Sequence, residues 1–137
     1  MATLQTAPDL RSATDSWNRE AAALLDTVIS WSDESVRAVS QGSRLNVGGS
    51  EQASLLVIAA SPSGNRHALR LDAVPPGVPD GDGVLELFHT ATLASQVVYR
   101  ESPDDDWVMN EGDDAVVPFN AEQFRRSVSR LVEDAER

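Results

Sequence analysis

Apolar residues recur with helical spacing near both ends of this 137-residue chain and with strand spacing between them. From Trp17 they fall at Trp17, Ala21, Leu24, Val28 and Trp31, with Leu25 and Ile29 alongside. Steps of four and three place these side chains on one helical stripe. Thr14 or Asp15 is the expected N-cap, and residues 1–11 read as a flexible lead. After it, Ser32, Asp33, Glu34 and Ser35 either restart a short helix through Val36 and Val39 or continue the first one. Near the other end, Ala121, Phe124, Val128, Leu131 and Ala135 form a second stripe. Asn120 is its expected N-cap and Gln123 stands in the capping-box position, while Phe119 and Phe124 are placed for a hydrophobic staple. Glu122 faces Arg126 one turn on. Glu133, Asp134 and Glu136 oppose the helix dipole, so the last turn is expected to fray.

The middle of the chain reads as strands. Residues 55–60 are apolar on both faces, as in a central strand. A turn at 61–65 and the alternation of Leu69 and Leu71 with Arg70 and Asp72 then make a hairpin. The stretch PPGVPDGDG at 75–83 is a loop. Further strands are expected at 84–89, 95–100, 107–110 and 115–119, the last two joined by a turn at 111–114. Connections this short favour antiparallel neighbours. The expected fold is therefore α+β: a single domain over residues 12–137, with an antiparallel sheet of about five or six strands. An N-terminal and a C-terminal helix pack on one face of that sheet. A chain of this length buries roughly 68% of its unfolded surface and folds without a metal or a disulfide.

Charge is the strongest functional signal. The chain carries −11, and residues 101–119 alone hold seven carboxylates and no basic residue: Glu101, Asp104, Asp105, Asp106, Glu111, Asp113 and Asp114. Trp107 and Met109 lie among them, on one face of a strand. An aromatic and a methionine ringed by carboxylates suit an interaction hot spot, and packing of that same face on a helix is the competing expectation. The negative field repels nucleic acid and anionic membrane and attracts basic protein surfaces.

Several chemistries are excluded. There is no cysteine and no lysine, so thiolate, disulfide, Schiff-base and P-loop chemistry are all absent. Asp80 and Asp82 begin like a calcium loop, but the later ligand positions fall on Val84, Leu85 and Ala91. The two acidic clusters at 104–106 and 111–114 offer hard oxygens for a divalent cation, set against solvated turns that protect strand edges. His67 and His89 sit on strands without a nucleophile-elbow motif. Gly48, Gly49 and Ser50 lack phosphate-binding spacing. No cofactor is expected. The start of the chain shows no signal-peptide pattern and the longest apolar run is too short to span a bilayer, so a cytoplasmic protein is expected.

The leading expectation is a non-enzymatic module that binds a basic or amphipathic segment of a partner protein, with homodimerisation open and with neither nucleic acid nor membrane as partner. In size, charge and layout the chain is similar to the small acidic proteins that accompany secreted effectors or toxins, secretion chaperones and immunity proteins. The alternative is an enzyme or small-molecule carrier, with His67, His89 and Arg70 converging on a pocket between sheet and helices.

Overall fold

A computed structural model describes residues 10–45, 51–74, 83–102, 104–111 and 115–137. The chain forms helix α1 (Leu10–Ser30), seven strands and helix α2 (Ala121–Ala135). The strands are β1 (Val36–Leu45), β2 (Glu51–Ala60), β3 (Arg66–Val74), β4 (Val84–His89), β5 (Ser95–Tyr99), β6 (Val108–Glu111) and β7 (Ala115–Pro118). They make one antiparallel sheet in sequence order, β1 to β7. The α+β architecture with a helix at each end matches the expectation, with one or two more strands.

The extra strand is β1. Residues 32–39 extend no helix: Asp33 Oδ1 accepts from the amides of Ser35 (2.8 Å) and Val36 (2.9 Å), which turns the chain away from α1. Beyond that turn Val36 and Ala38 are buried while Arg37 and Val39 are exposed, the period of a strand. Helix α1 also starts earlier than its expected cap, at Leu10. Thr14 and Asp15 therefore lie inside the helix.

Both helices pack on the same sheet face. Trp17, Ala21, Leu25 and Val28 of α1 and Phe124, Val128, Leu131 and Val132 of α2 join one buried cluster with Leu55, Val57, Leu69, Leu71, Leu85, Leu87 and Val98 of the sheet. The sheet register follows from this alternation, since a slip by one residue would turn each apolar set outward. Asn120 caps α2 by accepting from the Gln123 amide at 2.9 Å, and the rings of Phe119 and Phe124 meet at 6.2 Å. The Gln123 side chain donates to Ser127. The last turn of α2 is tied down, because Glu136 is held by His67 and Asn65 at 2.8 and 3.1 Å. That tertiary contact offsets the unfavourable dipole.

Candidate functional site

The expected acidic site divides in two. Glu101, Asp104, Asp105 and Asp106 are exposed on the β5–β6 connection. Glu111 ends β6, and Asp113 and Asp114 lie outside the described residues. Trp107 and Met109 turn to the helix side. Met109 is fully buried, with its Sδ 3.5 Å from Ser127 Oγ of α2. The surface role expected for Met109 is thus corrected: alternation placed it with Trp107 on one face, and that face is the core face.

Trp107 is half-buried and edges against Trp17 at 5.4 Å between ring centroids. Arg100, with its side chain 5% exposed, lies over the Trp107 ring at 4.4 Å and donates to Glu20 at 3.0 Å. The guanidinium is thereby buried with an aromatic face and a carboxylate as partners, the arrangement a buried charge requires. It anchors the start of the connection that carries the exposed acids.

The opposite sheet face has no described helix on it. Val39, Ile58, Val74, Val97 and Val116 are exposed there, with Val97 at 43% and Val116 at 59%. Leu56, Phe88, Tyr99 and Val108 are half-buried among them. Tyr99 pairs with Val108, so the last outward pair of β5 and β6 leads directly into the acidic connection. Arg70 belongs to this face, where it donates to Ser54 and Asp72 at 2.8 and 3.2 Å. Near the start of β1, Glu34, Ser35, Arg37, Ile58, Ala60 and Arg66 line a shallow cleft of about 220 Å³. It is smaller than the ~300–1,000 Å³ of small-molecule sites.

On the helix side, His67 and His89 meet with their Nδ1 and Nε2 atoms 2.9 Å apart. His67 Nε2 is 2.8 Å from Glu136 Oε2, and His89 Nδ1 accepts from the amides of Ala91 (3.1 Å) and Thr92 (3.3 Å). Burial, reinforced by the nearby His67, lowers the pKa of His89. Hydrogen bonds from His67, Asn65 and Ser61 hold Glu136 down to about 2. The arrangement looks like a relay, but it runs from a carboxylate to backbone amides, and the Ser63 hydroxyl beside it bonds Glu136 rather than either ring. Arg70 points to the other face of β3, so the three polar groups of the pocket alternative do not converge.

The His67–His89 contact escapes sequence reading because the residues are 22 apart and meet only through the β3–β4 register. The uncovered face was foreshadowed by the half-buried alternation of β3. Among the described residues, no group of three histidines, aspartates and glutamates is placed to hold a metal ion, and no helix is long and apolar enough to cross a membrane. No protein-family model, curated protein or solved structure matches the chain.

Proposed function

We propose that this chain is a non-enzymatic protein-interaction module, of the secretion-chaperone or immunity-protein kind, that takes a basic or amphipathic partner segment on the sheet face opposite the two described helices. The observation that carries the reading is that face: Val39, Ile58, Val74, Val97 and Val116 are exposed on β1, β2, β3, β5 and β7, with half-buried Phe88 and Val108 on β4 and β6. Exposed apolar side chains gathered on one face mark interaction surfaces. Glu101 and Asp104–Asp106 stand just beyond Tyr99 and Val108 at its rim. Rim charges act mainly on association rate and partner choice, and apolar burial supplies the affinity.

The test is affinity capture from the native host's lysate at low and high salt, with three baits. They are the natural chain, the triple variant D104N/D105N/D106N, and Val97→Glu on the open face. The expected result is a stoichiometric partner with a basic segment, retained at low salt, weakened by the triple variant and lost with Val97→Glu. A partner held equally by all three baits, or none held by any, defeats the reading.

A further inference from the structure

The hydrogen bonds around His89 assign the protons of both rings. His89 Nδ1 accepts from the Ala91 and Thr92 amides, and an accepting imidazole nitrogen carries no proton. The proton of neutral His89 is therefore on Nε2, facing His67 Nδ1 at 2.9 Å. His67 Nδ1 must then be bare, and His67 Nε2–H donates to Glu136 at 2.8 Å. Every link has one donor and one acceptor only while both rings are neutral.

One more proton has two places to go, and each breaks a link. On His67 Nδ1 it meets the N–H of His89, and the two rings regain their bond only when His89 moves its own proton to Nδ1, against the Ala91 and Thr92 amides. On His89 Nδ1 it meets the N–H groups of Ala91 and Thr92. In the first case the Glu136 carboxylate still faces a cationic His67, so that contact survives. Among the described residues, Glu136 is the charged side chain bonded to the pair. Ser61, Ser63 and Asn65 of the β2–β3 turn and Thr90–Ala94 of the β4–β5 turn are neutral. Arg66 belongs to the opposite face of β3, and Glu133, Asp134 and Arg137 are exposed.

The turn that His89 holds is under strain. Leu93 has φ 65, the left-handed region, with its side chain 70% exposed. An L residue is disfavoured there because its Cβ crowds the following carbonyl oxygen, so neighbouring bonds must over-determine the conformation. Those bonds are Leu93 N–H to His89 O (2.9 Å), His89 N–H to Ala94 O (3.0 Å), Ala94 N–H to Thr92 Oγ1 (3.2 Å), the Thr90 N–H and hydroxyl to Ala68 O (3.1 and 2.9 Å) and the two amides on His89 Nδ1.

We propose that the His67–His89 pair is a proton-sensitive latch on the β4–β5 turn. With both rings neutral it holds the turn and displays Leu93; on taking up one proton it lets the turn go while Glu136 keeps its hold on His67. The latch does not depend on the docking reading above.

The experiment uses the full chain labelled with ¹⁵N. At about pH 7.5 both rings should show a bare Nδ1 and a protonated Nε2 in their nitrogen shifts. Between about pH 7.5 and pH 5, exchange protection at Ala91 and Thr92, corrected for intrinsic rates, should fall about tenfold while Val57 in β2 changes less than about twofold. A protonated His89 Nδ1 at neutral pH, unchanged protection at Ala91 and Thr92, or an equal fall at Val57 overturns the latch. His89→Gln keeps an acceptor without a titrating group and should flatten the pH dependence. If that variant does not fold, Glu136→Gln serves instead. It removes the negative charge that favours the extra proton, so the loss of protection should move to lower pH, and a transition that stays in place overturns the proposal.

Discussion

Gly83 shows how tightly single residues are specified. A Cβ built there would clash with the Val74 carbonyl oxygen and lie 2.5 Å from Cε2 of the buried Trp17. Neither backbone nor a buried indole can yield cheaply, so Gly83→Ala should destabilise the fold by about 1–3 kcal/mol in urea titration. The histidine pair has its own signature. His89 is held below its ordinary 6.5, chiefly by burial. The unfolded chain therefore binds a proton that the folded chain refuses, and stability present above pH 6.5 drains away as pH falls through and below that value. Glu136, drawn from 4.5 to about 2, adds a second loss across that lower interval. Denaturation midpoints measured from pH 8 to pH 3 should thus start to decline just below neutrality, and His89→Gln should remove the upper step.

At the scale of elements, what was legible in the sequence is what local spacing decides. The cap and staple of α2 depend on Phe119, Asn120 and Phe124, which are neighbours in the chain, and the structure has both contacts. Asn120→Ala should accordingly cost about 1 kcal/mol by thermal or chemical denaturation. Strand β1 was illegible because Val36 and Val39 also fit a helical step, and the deciding contacts come from Asp33 and from pairing with β2. Alternation correctly put Trp107 and Met109 together, but which face is inward depends on where α2 lands, a long-range fact. Helix α2 also fastens the other end of the architecture. Arg125 Nη2 donates to the Trp31 carbonyl at 2.7 Å, and its Nε lies 3.0 Å from Asp33 Oδ2. Arg125→Ala should lower the thermal midpoint and speed amide exchange at Ser35 and Val36, whose amides rest on the Asp33 carboxylate.

For the whole molecule, a charge of −11 on 137 residues implies self-repulsion in the compact state. Raising ionic strength from about 0.01 M to 0.1 M shortens the screening length from about 30 Å to 10 Å. The thermal midpoint at neutral pH should rise over that range, and an unchanged or falling midpoint would mean the acids are already neutralised by local contacts. The strand order β1 to β7 carries a different consequence, one for how the molecule comes to exist. Each strand finds its partner in the segment made just before it, so every sheet pairing closes a short loop and the entropic barrier to each step is low. A chain leaving the ribosome can lay down the sheet in the order of synthesis. Only α2 must wait, since it packs across strands made long before it and clasps the end of α1 through Trp31. Until it arrives, the shared core lacks the side chains of Phe124, Val128, Leu131 and Val132, which those fifteen helical residues bring to the growing meander.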